Sequence, residues 1–421
     1  MRDEVLRFAA GRLHDPLGLL GSTRQGLMAR EVPPGAFGGV AASRDVGTRH
    51  ASTITDSLRA LAAKVAALRG LAEDVTAVNQ RFRSFDDAKA RELGPDERLV
   101  DQLSGDGGQA AAWTGADQRD RVNRARIEAA IAEERARLER LEKTPDPQPH
   151  QSSGPNQEIS RAEDRIESYR GVLGVRDAKI LSFDPTGNGR VVALLGDIDA
   201  GTGSVGVLVP GMRTGLDDFA GNAAIAGSFV APDGARGGTA MVLWQDGAFP
   251  QHFDAVSSDA ARDMAPALRD FVNDDLRAMT GDEVPITVIG HSYGGAIVGL
   301  ADAAGMQANN VVHLESAGMG HGVTPAELQA VNPDVVRYSV TSPSDPISLS
   351  QGREFLGLGH GMDPDTFPGN IQLESGRDAE GVVHQGIDAH HLENVIGMHA
   401  DSWWDVNGII TGSGVPLSPA R

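Results

Sequence analysis

A serine flanked by glycines lies at the end of a short apolar run. In VIGHSYGGAIVGL, residues 288–300, Ser292 is the centre of a Gly-x-Ser-x-Gly pattern that Gly290 and Gly294 complete. The preceding ITVIG predicts a strand and the following GGAIVGLADAAG predicts a helix. A serine in such a strand–turn–helix presents its hydroxyl above the carboxyl end of a sheet. The pattern predicts that Ser292 is a nucleophile; the alternative is that it only caps the helix.

A nucleophilic serine needs a general base and an acid that orients the base. Enzymes with this type of turn carry the three groups in the chain order serine, acid, histidine. Asp345 is the predicted acid, because it stands three residues beyond the strand-like run VRYSVTS, in a loop stiffened by Pro343 and Pro346. Glu315, at the end of the preceding strand-like run, is the alternative acid.

The candidate bases are the histidines that follow the acid, namely His360, His384, His390, His391 and His399. His399 is the predicted base, since it precedes an apolar stretch near the C-terminus that predicts a closing helix. His390 and His391 are the second choice for the base. A metal site at this pair is disfavoured, because neither His-Glu-x-x-His nor a comparable ligand spacing is present.

The developing oxyanion would need two backbone N–H donors. One is expected from Tyr293, the residue after the nucleophile. The other is expected from the loop VPGMRTG, residues 209–215, where Gly211 permits close approach of the backbone. The N–H of Met212 or that of Gly211 is the candidate for this second donor.

The second half of the chain alternates between strand-like and helix-like segments. The strand-like runs are 178–184, 190–198, 204–210, 239–245, 286–290, 310–316 and 336–342. The first two predict a hairpin, and the last four are continuously apolar, as in strands covered on both faces. Helical patterns lie between several of them, so the prediction is an α/β fold with a doubly wound, mainly parallel sheet and an antiparallel start.

The first half reads as an all-α module. A stripe of apolar residues from Ile54 to Phe82 repeats every three or four positions, which predicts a long amphipathic helix. The predicted domains are a helical hairpin at 1–98, a helical lead-in at 99–174 and a catalytic domain at 175–421. A proline-rich linker, 144–157, divides the lead-in.

The amino-acid composition excludes or disfavours several kinds of site and partner. The chain has 421 residues and a net charge of -20, which disfavours nucleic acid and anionic lipid as partners. It has no cysteine, so disulfides, thiolate metal sites and cysteine nucleophiles are excluded. Neither a signal peptide nor a membrane-spanning segment is predicted, so cytoplasmic residence is the default. The serine chemistry needs no cofactor.

The order of several motifs resembles an actinobacterial family of α/β hydrolases that is catalogued as a domain of unknown function. The motifs lie at 181–219, 242–250, 290–295, 341–347 and 399–404, and 119–131 is similar to the family's helical lead-in. The resemblance covers roughly 117–412. It implies an α/β-hydrolase fold with Ser292, Asp345 and His399 as the catalytic triad.

The chain departs from that family at two places. Glu315 stands where a glycine is more usual, which keeps Glu315 as a candidate acid or pocket residue. The segment 351–398 is longer and richer in histidine and glycine than the resemblance implies, and we expect it to form a lid or a pocket wall.

Residues 1–98 resemble the helical hairpins of the WXG superfamily, which are exported by type VII secretion. The segment Phe37-Gly38-Gly39 would replace the Trp-x-Gly turn, and Phe82 and Asp86 have the spacing of the aromatic-x-x-x-acid export signal. This resemblance implies a small helical partner or the secretion machinery as a partner, and export without a cleaved signal.

The sequence therefore predicts a serine hydrolase that cleaves a carboxylic ester, either a small molecule or a lipid. One alternative is a secreted effector or interaction protein, with the hydrolase domain as a toxin or an inert domain. A further alternative is a thioesterase, peptidase or acyltransferase that uses the same triad, because one fold supports many chemistries.

Overall fold

The computed structural model describes residues 109–143, 155–230, 238–251, 258–349, 351–352, 359–374 and 377–413. They belong to the second of two compact units of the chain, Gly107–Arg421. The predicted helical hairpin at 1–98 lies outside the described residues, as does most of the predicted linker at 144–157.

Two helices precede the sheet, α1 at Gln109–Glu142 and α2 at Pro155–Gly174. Ile127 of α1 and Tyr169 of α2 are buried in the same apolar cluster as Ile180 of the first strand. The side chain of Asn123 also donates a hydrogen bond from Nδ2 to the carbonyl oxygen of Ile180, at 2.9 Å. The helical lead-in therefore packs directly on the strand that contains Ile180.

One sheet organises the described chain. Its strands are β1 Ala178–Asp184, β2 Arg190–Leu195, β3 Thr202–Val209, β4 Gly238–Gln245, β5 Ile286–His291, β6 Asn310–Leu314, β7 Val336–Val340 and β8 Asn370–Leu373. Their spatial order is β1-β2-β4-β3-β5-β6-β7-β8, with antiparallel pairing at β1–β2 and β2–β4 and parallel pairing elsewhere. The predicted α/β class, with its antiparallel start and mainly parallel sheet, is confirmed.

The remaining helices cover both faces of the sheet. They are α3 Phe219–Gly227, α4 Asp259–Asp270, α5 Arg277–Thr280, α6 Tyr293–Ala303, α7 Pro325–Val331, α8 Leu392–Ile396 and α9 Asp401–Thr411. Met264 of α4 and Ile297 of α6 share one core cluster, whereas Phe219 of α3 and Val406 of α9 share another. A sheet covered on both faces explains why its central strands are continuously apolar.

A buried ion pair joins the helix after Ser292 to the strand that leads to Asp345. Arg337 of β7 donates from Nε to Asp302 Oδ2 at 2.7 Å and from Nη2 to Asp302 Oδ1 at 3.1 Å. The Asp302 side chain, on α6, is fully buried, and the Arg337 side chain is 10% exposed. Asn332 Nδ2 donates a further hydrogen bond to Asp302. This pair fixes α6 relative to β7.

We expect Asp302→Ala to lower the free energy of unfolding by about 3–5 kcal/mol, because it leaves the Arg337 guanidinium buried without its counter-charge. Urea unfolding of the full chain measures the loss. The control is Asp259→Ala, which removes the largely exposed pair of Asp259 with Arg262 and should cost far less. Equal losses in the two variants would contradict the assigned role of Asp302.

Candidate active site

Ser292 occupies a strained turn between β5 and α6. Its backbone has φ 54° and ψ -121°, a positive φ that residues other than glycine rarely adopt. A Cβ on Gly290 would lie 2.6 Å from the carbonyl oxygen of Gly294. A Cβ on Gly294 would collide with the carbonyl oxygens of Val209 and Pro210. The two glycines of the pattern are therefore required by the close packing of this turn.

The backbone of Ser292 is held on both sides. Its N–H donates to the carbonyl oxygen of Leu314 on β6, at 3.0 Å. Its own carbonyl oxygen accepts from the N–H groups of Gly295, at 3.0 Å, and Ala317, at 2.9 Å. The turn is thus fixed to the neighbouring strand and to the loop that follows that strand.

His390 lies between Ser292 and Asp345. Its Nε2 is 2.8 Å from Ser292 Oγ, and its Nδ1 is 2.6 Å from Asp345 Oδ2. Because a carboxylate can only accept, Nδ1 carries the proton and Nε2 accepts from the serine hydroxyl. The three side chains form one continuous chain of hydrogen bonds from the carboxylate to the serine.

The prediction that His399 lies beside the serine is wrong, because His390 holds that place. His399 does precede the closing helix α9, but its ring packs 5.6 Å from Trp403 and 5.5 Å from Trp404, measured between ring centroids. The short helix α8 comes one helix earlier, and the turn before it, Gly386–His390, brings His390 to the serine.

His391, the other second-choice histidine, has an exposed side chain. Its carbonyl oxygen accepts from the N–H groups of Asn394 and Val395 and so begins α8. The described part of the segment 351–398 supplies an edge strand, β8, and the histidine at Ser292. Its expected role as a lid or pocket wall stays a prediction.

Asp345 lies in the loop after β7, as its strand-end position predicted. Its Oδ1 accepts from the N–H of Ile347 at 2.8 Å. Burial alone would raise the pKa of Asp345, but hydrogen bonds with His390, Glu315 and the Ile347 N–H lower it below its ordinary value. Asp345 is therefore an ionised carboxylate at neutral pH.

Glu315, the alternative acid, lies at the end of β6 beside Asp345. Its side chain is fully buried, and its Oε1 accepts from the N–H of Ser342 at 2.8 Å. Burial raises the pKa of Glu315 to about 10, reinforced by the hydrogen bond and the negative charge of Asp345. Of the two acids, Asp345 is the one hydrogen-bonded to His390.

His291 is a residue at the site that the sequence did not single out. Its Nε2 lies 2.9 Å from the carbonyl oxygen of His390. Burial lowers the pKa of His291 to about 3, with a smaller contribution from the charge of His390. The neutral ring therefore donates its Nε2–H to that carbonyl and holds the backbone of the histidine at the serine. The position before a nucleophile accepts many residue types, so the pattern carries no signal for this contact.

The residues expected to supply the oxyanion hole lie around Ser292. Tyr293 is the first residue of α6, whose leading N–H groups point away from the helix body. A Cβ on Gly211 would be 2.9 Å from Ser292 Cβ and 3.3 Å from its Oγ, so the Gly211 backbone approaches Ser292 closely. Met212 follows it, with a side chain that is 39% exposed. Their roles as donors stay predictions.

The other two candidate histidines have different neighbours. His384 Nε2 is 2.8 Å from Asp378 Oδ2, and His360 Nδ1 is 3.2 Å from Ser258 Oγ. Among the described residues, no cluster of three or more His, Asp or Glu side chains could hold a metal ion. A search of the same part of the chain finds no helix with the length and apolarity needed to cross a membrane.

Comparison with known proteins agrees with this architecture. Residues 184–351 match the family model described as "Alpha/beta hydrolase". That range includes Ser292, Glu315 and Asp345 and ends before His390. The mainly parallel eight-stranded sheet, together with the strained turn at Ser292 between β5 and α6, gives the chain the α/β-hydrolase fold.

Several solved structures are similar at low identity. One is a 2,6-dihydroxy-pseudo-oxynicotine hydrolase, with 11% identity over 78% of this chain and 96% of that one, and a TM-score of 0.36. Another is carboxyl esterase 2 from the mycorrhizal fungus Tuber melanosporum, with 14% identity, coverages of 56% and 85%, and a TM-score of 0.33. A dienelactone hydrolase-like promiscuous phosphotriesterase from metagenomic libraries has 12% identity, coverages of 56% and 97%, and a TM-score of 0.32. Scores this low support no inference about activity. No curated protein matches the chain.

Proposed function

We propose that the protein is a serine hydrolase that cleaves a carboxylic ester through Ser292, His390 and Asp345. One observation carries the proposal, the chain of hydrogen bonds in which Nε2 and Nδ1 of one imidazole reach the serine hydroxyl and the aspartate. This arrangement activates a serine that would otherwise be a weak nucleophile.

The proposed reaction proceeds in two halves. His390 Nε2 takes the proton of Ser292 as Oγ bonds to the ester carbonyl carbon, and Asp345 stabilises the resulting imidazolium. The tetrahedral intermediate expels the alcohol, which leaves with the proton from His390, and an acyl-serine remains. A water molecule then gives its proton to His390 and attacks the acyl carbon. Return of that proton to Oγ releases the carboxylic acid and restores the serine.

Backbone N–H groups would stabilise the oxyanion. We assign them to Tyr293 and to Gly211 or Met212, because the first lies at the N-terminus of α6 and the loop after β3 packs against Ser292. Two such donors, fixed before the substrate arrives, stabilise the charge that develops on the carbonyl oxygen.

Exposed apolar side chains on the segment that carries His390 support an ester with a hydrocarbon substituent. Val382, Val383, Ile387 and Met398 are between 45% and 63% exposed. These side chains are close to His390 in the sequence, and exposed apolar side chains favour a substrate with apolar surface to bury.

The test of the nucleophile is labelling with a fluorophosphonate, which reacts covalently with an activated serine. We expect the full chain to be labelled and Ser292→Ala not to be. The control variant is Ser168→Ala, which changes a serine on α2 that donates only to the carbonyl oxygen of Asp164 in the same helix. It should label like the native chain. The proposal would be contradicted if the native chain were not labelled, or if the Ser292→Ala variant were still labelled.

The leaving group is tested separately with one acyl group presented as an ester, a thioester and an amide, with and without an added alcohol acceptor. We expect the ester to have the highest kcat/KM and the free acid to be the product. A preference for the thioester or the amide, or transfer to the alcohol, would overturn the ester assignment and leave Ser292 as the nucleophile.

A further inference from the structure

The carboxyl groups of Glu315 and Asp345 lie near each other, next to the candidate base His390. Glu315 follows β6 and Asp345 lies in the loop after β7, and these strands are parallel neighbours in the sheet. Their carboxyl ends therefore open at the same edge. Glu315 Oε1 accepts from the Ser342 N–H, the Ser342 carbonyl oxygen accepts from the Asp345 N–H, and the two carboxyls lie close enough for each to shift the pKa of the other. Two ionised carboxylates in such a buried contact would repel each other strongly.

The surrounding hydrogen bonds assign the donor in this contact. Both oxygens of Asp345 act as acceptors, Oδ2 from His390 Nδ1–H and Oδ1 from the Ile347 N–H. Oε1 of Glu315 accepts from the Ser342 N–H. Oε2 of Glu315 is buried and meets no donor among the described residues. A proton on Oε2 satisfies this atom and removes the repulsion, because Oε2–H then donates to Asp345.

We propose that Glu315 is a positioning residue that stays protonated in the working enzyme and donates a hydrogen bond to the Asp345 carboxylate. The donated bond fixes the Asp345 side chain and so fixes the orientation of His390. The proposal rests on the proposed function, because it takes Asp345 as the acid that orients the base.

The titratable groups around Glu315 act in the same direction. The negative charges of the Asp345 and Asp365 carboxyls each raise the pKa of Glu315. Asp365 itself has a raised pKa through burial, and its Oδ1 accepts from Thr341 Oγ1. His390 reaches Glu315 only through Asp345. With the pKa of Glu315 at about 10, its carboxyl is protonated at neutral pH.

A raised pKa has a defined effect on stability. The unfolded chain releases this proton above the ordinary glutamate value, whereas the folded chain retains it up to about pH 10. Between those two values the folded state binds more protons, so stability falls as pH rises. Glu315→Gln cannot ionise in either state and removes this contribution. A Glu315 that were ionised in the folded state would give no such slope above neutral pH.

The kinetic test compares Glu315→Gln with Glu315→Leu in the full chain. Glutamine keeps an acceptor for the Ser342 N–H and a donor for Asp345, so we expect kcat within about threefold of the native value. Leucine keeps neither, and we expect kcat to fall by about 10²-fold at unchanged KM, because His390 loses its orientation. An equal fall in both variants would show that the negative charge of Glu315, not its donated hydrogen bond, is needed.

A second test does not depend on turnover and uses the Ser292→Ala background. We expect Tm to fall between about pH 6 and pH 9 relative to the Tm of the same protein with Glu315→Gln. The infrared band of an un-ionised carboxyl should also disappear in the Glu315→Gln protein. Identical pH slopes with no lost band would overturn the proposal. Because these readouts need no catalysis, they separate its failure from failure of the proposed ester hydrolysis.

Discussion

Replacing His390 with alanine is expected to lower kcat/KM for a p-nitrophenyl ester by about 10⁴-fold or more, since no other group then accepts the serine proton. The expectation follows from the 2.8 Å contact between His390 Nε2 and Ser292 Oγ. The rate of fluorophosphonate labelling should fall with it, because labelling also requires an activated hydroxyl. Initial rates at several pH values measure the loss.

His399→Ala is the matched control, because His399 was the sequence-based choice of base. Its ring packs on Trp403 and Trp404, so we expect near-native kcat/KM from the alanine variant. Loss of turnover in His399→Ala together with retention in His390→Ala would contradict the placement of the base. Circular dichroism of both variants checks that the comparison is made between folded proteins.

Replacing Asp345 with asparagine should lower kcat by about 10⁴-fold, because the amide can donate to His390 Nδ1 and so favour the wrong tautomer. The proton would then lie on Nε2, and a protonated Nε2 cannot accept the hydrogen bond of the Ser292 hydroxyl. We expect the fold to persist, since asparagine has the same shape and its Oδ1 still accepts from the Ile347 N–H. Single-turnover kinetics and Tm measure the two effects.

The control for Asp345→Asn is Asp388→Asn, an exposed acid two residues before His390. It should leave kcat and KM near their native values. A native rate in Asp345→Asn, joined to a large loss in Glu315→Gln, would identify Glu315 as the acid that orients the base. That result would restore the alternative that the sequence left open.

The positions of Ser292 and Asp345 in the fold could be predicted because the ends of strands can be recognised in the sequence. The apolar run before Ser292 and the glycines around it predicted β5 and the turn. The run before Asp345 predicted β7, and parallel strands bring their carboxyl ends to one edge of the sheet. The structure places both residues at that edge. His390 lies between them and is within hydrogen-bonding distance of each.

The position of His390 beside Ser292 could not be predicted from the same kind of pattern. Helix α8 has five residues, Leu392–Ile396, too few for a helical period to appear in the sequence. Strand β8, NIQL, is equally short, and three of its four residues are not buried. Neither α8 nor β8 can be recognised from its sequence pattern. The apolar stretch of α9 is therefore the clearest predicted element near the C-terminus, and it favours His399 as the base.

The sequence could not show which of the two acids, Glu315 or Asp345, contacts the histidine, and the reason is different. The sequence places Glu315 and Asp345 at the ends of successive strands, which made both of them candidates. Their difference comes from tertiary contacts: His390 touches Asp345, whereas Glu315 is fully buried behind it. Which of two nearby carboxyls ionises depends on such surroundings and not on residue type.

Three backbone hydrogen bonds at Ser292 limit how far the serine backbone can move during the proposed reaction. With its N–H and its carbonyl oxygen bound to Leu314, Gly295 and Ala317, the serine keeps one backbone position before and after acylation. Little conformational entropy is then lost at the nucleophile when the transition state forms. The segment that carries His390 is likewise tied to the loop of Asp345, by the Gly386 N–H bond to the Ser344 carbonyl oxygen. The proposed cycle therefore joins groups whose backbones are held in place before a substrate arrives.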